Sequence, residues 1–107
     1  MVEIKNIFSD IPESFHDELF EDIISTENFR IKRIISSRHT TPKDKWYDQD
    51  KNEWIMVLKG NAELLFEEGN QIIKMKEGDY INIPAHLKHR VEKTDDKQET
   101  VWLTVFY

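Results

Sequence analysis

With 107 residues, no cysteine and a formal net charge of −6, the chain has the length of one domain and cannot build disulfides, thiolate zinc sites or a thiol nucleophile. Its basic residues are interspersed with acidic ones, so the basic footprint of a nucleic-acid binder is absent, and any metal must be held by N and O ligands. The apolar runs are far short of a bilayer span and the opening MVEIKNIFSD lacks the basic-then-apolar layout of a signal peptide, so a soluble, cytoplasmic protein that engages neither membrane nor nucleic acid is expected.

The first third of the chain is the least regular. In IPESFHDELFEDIISTE, Phe15, Leu19 and Ile23 recur at helical spacing and Pro12 suits a first helical turn, yet ELFEDII also alternates as a strand. The reading adopted is a short helical turn over Pro12–His16 followed by a strand. Residues 1–28 would then be an N-terminal strand and turn extension of a single domain spanning 1–107.

From about Phe29 onward, short β-type runs alternate with turn signals: FRIKRIISS, EWIMVLKG, AELLFEE, QIIKMKEG, DYINIPA, HRVEK and ETVWLTVFY. Gly60, Gly69 and Gly78, with Asn61, Asn70, Asp95 and Asp96, punctuate them, and strands joined by such short turns pair antiparallel. In EWIMVLKG, Glu53, Ile55 and Val57 share one face while Trp54, Met56 and Leu58 share the other. In VWLTVFY, Val101, Leu103, Val105 and Tyr107 oppose Trp102, Thr104 and Phe106. Strands apolar on both faces belong in the middle of an all-β sandwich or barrel, covered on one side by the interior and on the other by a second sheet or a partner subunit.

The stretch GDYINIPAHLKHR ends a strand at Pro84 and then offers His86 and His89 three residues apart. Glu53, six residues and then Gly60 match the second half of the first cupin motif. Gly78, five residues, Pro84, one residue, His86 and then His89 match the second, with His86 standing where the family has glycine. The chain therefore resembles a small single-domain cupin, through motifs that cover Trp46–His89. The resemblance implies a double-stranded β-helix (jelly-roll) barrel, commonly a homodimer, with a metal site inside the barrel mouth. In the family the metal is held by two histidines and a glutamate of the first motif and a histidine of the second. Glu53 and His89 fall on the last two of these positions, and both first-motif histidines are missing. Their places fall on Trp46 and Asp48 under the longer spacing, or on Tyr47 and Gln49 under the shorter. Of these, Asp48 is a competent hard ligand, Gln49 a weak neutral one, and Trp46 cannot ligate.

The expected metal site is thus Asp48, Glu53, His86 and His89, holding a divalent ion of the Fe, Mn, Zn, Ni or Cu type. His86 could serve as an extra ligand, as an acid or base at the mouth, or as a turn residue facing water. The partner implied is a small-molecule ligand or polar substrate. A ligand- or sugar-binding module without turnover and a structural dimerisation domain are the alternatives. Plain readings stand beside each residue. Glu53 could pair with Lys51, Lys88 or Arg90 at a sheet edge, Asp48 and Asp50 could be turn residues, Trp46 and Tyr47 could be core or rim aromatics, and His16 and His39 read as surface residues.

Overall fold

A computed structural model describes the whole chain, Met1–Tyr107. Each β-type run forms a strand, and the ambiguous ELFEDII does too. The order is β1 (Leu19–Ser25), β2 (Arg30–Ser36), β3 (Glu53–Lys59), β4 (Ala62–Phe66), β5 (Gln71–Met75), β6 (Tyr80–Ile83), β7 (His89–Thr94) and β8 (Thr100–Phe106). A 3-10 turn over Glu68–Asn70 is the one helical element, and no helix is long and apolar enough to cross a membrane. The helical turn expected over Pro12–His16 is replaced by bends. The reason is tertiary. The Phe15 ring stacks on His39 at 5.6 Å, and the His16 carbonyl lies 2.7 Å from His39 Nε2, so this backbone is satisfied from another part of the chain.

The strands form two antiparallel sheets, one in the order β1-β2-β8-β3-β6 and the other β5-β4-β7. Alternation decides what lies between them. Ile34, Ile55, Val57, Ile83 and Trp102 from the larger sheet meet Ala62, Leu64, Phe66 and Met75 from the smaller to form the core. On β3 the inward set is Glu53, Ile55 and Val57, at 6%, 6% and 0% exposure, so a carboxylate sits in line with core side chains. Trp102 and Thr104 lie on the same inner face of β8, at 1% and 0% exposure.

Two local features hold this arrangement. Gly60 closes the β3–β4 turn at φ +84°, and a side chain there would meet Thr100 Oγ1 at 3.0 Å and the Glu99 carbonyl at 3.1 Å, so only glycine fits. On the outer face of β2, the buried Arg33 donates to Glu21 and to the carbonyls of Ile7 and Ser9, which fastens the N-terminal segment across the sheet.

Candidate functional site

The site is built where β3 begins and β7 begins. Ahead of β3 the chain runs extended beside β7. Thr41 N–H donates to the Val91 carbonyl, Tyr47 and His89 exchange backbone bonds of 2.8 and 3.2 Å, and His86 N–H donates to the Gln49 carbonyl. An extended chain alternates, so Tyr47 and Gln49 turn toward the space between the sheets, Tyr47 at its rim with 37% of its surface exposed, and Asp48 turns away. The shorter of the two spacings is therefore the one whose side chains face the interior. Trp46 lies outside it, under the Arg90 guanidinium at 4.5 Å from its ring.

Glu53 and His89 meet in the interior, with Glu53 Oε1 3.2 Å from His89 Nε2 and both side chains over nine-tenths buried. Glu53 does not pair with Lys51, Lys88 or Arg90; Arg90 turns instead to Glu92. The same Oε1 accepts from Gln49 Nε2 at 3.1 Å, while Oε2 accepts from Thr104 Oγ1 at 3.0 Å. The second nitrogen of His89, Nδ1, lies 2.8 Å from the Leu87 carbonyl. Because a carbonyl and a carboxylate both accept, the geometry calls for a hydrogen on each ring nitrogen, which is the imidazolium. Burial alone would lower the His89 pKa, but the Glu53 hydrogen bond, the Leu87 carbonyl and the Glu53 charge together outweigh it and raise the value above 6.5.

Asp48 and His86 form a separate pair outside this interior, with Asp48 Oδ1 2.9 Å from His86 Nδ1 and both side chains substantially exposed. His86 adopts φ +65°, a left-handed conformation that explains why glycine suits this position. The four expected ligands thus stand as two pairs, and no group of three or more His, Asp or Glu side chains is gathered to share an ion.

Between the sheets lies a cavity of about 180 Å³. Its walls include Ile34, Ile55, Leu64, Ile83 and Val91, and its polar groups are Glu53, His89, Gln49, Tyr47, Lys32 and Glu18. It adjoins a broad polar cleft of about 730 Å³ over the β1–β2 turn and residues 48–51, the two sharing Lys32, Gln49 and Phe106. Burial raises the pKa of the Tyr47 phenol, as do the negative charges of Glu18 and Glu53, so it stays protonated. As a metal site the interior offers one imidazole and one carboxylate bonded to each other, a second carboxylate, Glu18, that is held by Ser36 and not gathered with them, a neutral amide and a neutral phenol. That donor set does not fit a tightly held divalent ion.

Thr104 and Glu18 are functional candidates that sequence reasoning passed over. Thr104 left a signal, as the one hydroxyl between Trp102 and Phe106 on an otherwise apolar face. Glu18 left none, because it precedes β1 in the segment whose secondary structure was ambiguous. His39, read as a surface residue, is half-buried and bridges Ser37 N–H at 2.8 Å and the His16 carbonyl.

Comparison with known proteins agrees with this architecture. Residues 38–106 match the family model described as a cupin domain. A protein of Ralstonia eutropha JMP134, provisionally named a mannose-6-phosphate isomerase, is 37% identical with a TM-score of 0.93, over 98% of this chain and 97% of that one. A cupin superfamily protein of Desulfitobacterium hafniense DCB-2 is similar at 15% identity and a TM-score of 0.74, over 90% and 82% of the two chains. An RmlC-like cupin with a double-stranded β-helix fold from Methanocaldococcus jannaschii is similar at 18% identity and a TM-score of 0.71, over 99% and 91%. At those lower identities the likeness is one of fold. No curated protein matches the sequence.

Proposed function

We propose that this chain, which belongs to the cupin family, uses its barrel interior to hold a small organic molecule against the Glu53–His89 pair. The observation that carries this reading is the chemistry at the two missing histidine positions. Tyr47 and Gln49 stand there, and Gln49 donates to Glu53 instead of leaving it free for an ion. The cavity is lined mostly by apolar side chains with a few polar groups among them, the composition that orients a small ligand. At about 180 Å³ it is below the ~300–1,000 Å³ of drug-sized sites, so the group it encloses is small. The pair can offer such a ligand the Nε2 hydrogen of an imidazolium or accept a hydrogen at Glu53, which permits acid–base chemistry as well as binding. The name of the Ralstonia relative adds sugars to the compounds worth screening.

A second reading keeps a divalent ion of the Fe, Mn, Zn, Ni or Cu type, with Glu53 and His89 as its protein donors. One observation favours it: the Leu87 carbonyl holds His89 Nδ1 and points Nε2 inward toward Glu53, an orientation common in metal-bound histidines, in which an ion would take the place of the Nε2 hydrogen. Elemental analysis of protein purified without a histidine tag separates the readings. Stoichiometric metal that is lost in His89→Ala supports the ion. A metal-free protein whose melting temperature rises with small organic compounds supports the ligand.

The homodimer belongs to the same proposal. Trp54, Met56, Leu103 and Val105 share the outer face of the larger sheet and are only partly buried, which leaves an apolar surface for a second copy. Light scattering of the purified protein tests it, and a monomer at micromolar concentration would refute it.

A further inference from the structure

We propose that Glu18 makes the interior cavity selective for a small organic ammonium ion. This rests on the small-ligand reading above and names its chemical class. Glu18 lies outside the matched family segment 38–106, in the stretch that leads into β1, and its side chain lines the same cavity as Glu53 and His89. It is held there from both sides. Ahead of it, Phe15 and the His16 carbonyl are fixed by His39; behind it, Leu19 enters the β1–β2 ladder opposite Ile35.

The carboxylate itself is aimed by a directed chain of hydrogen bonds. Trp102 Nε1 can only donate and does so to Ser36 Oγ at 3.1 Å, so the Ser36 hydroxyl hydrogen goes to Glu18 Oε2. That leaves Oε1 of Glu18 without a protein partner and open to solvent through the cavity.

Charge then selects the ligand. Within the cavity, Glu53 is matched by His89 at 3.2 Å, and Lys32 is matched by Asp22 at 3.6 Å. Glu18 has no lysine, arginine or histidine within ion-pair reach and only a neutral hydroxyl for company. A ligand that restores neutrality is a cation. Phe20, Tyr47, Trp102 and Phe106 surround the space, and aromatic faces attract ammonium groups within about 6 Å of the ring centroid. The mouth already shows such a contact, with Lys32 Nζ 5.9 Å from the centre of the Phe106 ring. The ammonium would be placed at Glu18 Oε1 and a short hydrocarbon body along Ile34, Ile55 and Leu64.

The test uses three probes of matched size, n-butylammonium chloride, n-butanol and sodium butyrate, titrated into the full-length protein. The Trp102 indole N–H resonance reports binding, because it bonds to the partner of Glu18. Butylammonium is expected to shift it saturably, and the alcohol and the carboxylate to bind at least about tenfold more weakly. Glu18→Gln retains an oxygen for Ser36 and is expected to keep the wild-type melting temperature while losing about tenfold in butylammonium affinity. Butanol binding as tightly as butylammonium, or an unchanged affinity in Glu18→Gln, overturns the ammonium assignment while leaving a small-molecule cavity. Silence from all three probes also overturns it, and the compound screen then decides the broader reading. If Glu18→Gln is unstable, Glu18→Asp serves instead: its shorter carboxylate keeps the charge, so ammonium preference over butanol must survive in it.

Discussion

Replacing Glu53 with glutamine changes the charge of the buried pair without changing its volume, so no cavity term enters and the response isolates the electrostatics. In the wild type His89 gives a hydrogen to Leu87 and another to Glu53, and its raised pKa means that the folded state holds the proton more tightly than the unfolded one. The stabilisation is therefore fully present below the ordinary imidazole value of 6.5 and is lost as the pH rises through the higher folded value. In Glu53→Gln the sign reverses. A buried imidazolium has lost its counter-charge, so the folded state favours neutral His89, with the new amide donating to Nε2 and the Gln49 amide turned to accept. At about pH 5.5, where unfolded histidine is mostly charged, breaking such a buried pair costs roughly 3–5 kcal/mol. For a domain of this size that lowers the melting temperature by at least about 12 °C. At about pH 8.5 the difference shrinks to that of a rearranged hydrogen bond, roughly 0.5–1.5 kcal/mol. Urea denaturation of both proteins across this range measures the effect. Parallel stability profiles for wild type and Glu53→Gln would refute the claim that His89 carries its charge against Glu53.

Substitutions at three other positions probe the frame around the site. His86→Gly relieves a left-handed backbone at φ +65° and gives up only an exposed pair with Asp48, so it should match or exceed wild-type stability by up to about 1 kcal/mol, whereas His86→Val should be destabilised by at least that much in thermal melts. Ser36→Ala leaves the buried Trp102 N–H without its acceptor, at a cost of about 1–3 kcal/mol, with altered Trp102 fluorescence as the local signature. Arg33→Ala unfastens Ile7, Ser9 and Glu21 from β2, so limited proteolysis within residues 1–13 should accelerate while the two sheets remain intact; equal cleavage rates would show that the clamp is not what holds this segment.

Much of the scaffold was legible because period-two alternation and turn chemistry are local. Glu53, Ile55 and Val57 had to share a face of β3 wherever that strand was placed, and Gly60 had to mark a turn. The meeting of Glu53 with His89 was legible too, through the likeness to the two cupin motifs. The site's other members were not. Asp48 and Gln49 are neighbours, and which of them faces inward is set by the backbone bonds of Tyr47 to His89 and of Gln49 to His86, contacts between segments about forty residues apart.

The same division applies to the segment before β1. Its composition allowed either a helical turn or extended chain, and the choice was made by His39 and Arg33, whose side chains satisfy its carbonyls from elsewhere in the chain. Amino-acid order by itself determined the strands and their apolar faces, and its likeness to the cupin motifs singled out Glu53 and His89 for the candidate site. Only tertiary structure decided that Asp48 and His86 stand outside, that Tyr47 and Gln49 stand inside, and that Glu18 joins them, because side-chain direction in an extended segment depends on register with a partner strand that local sequence does not specify.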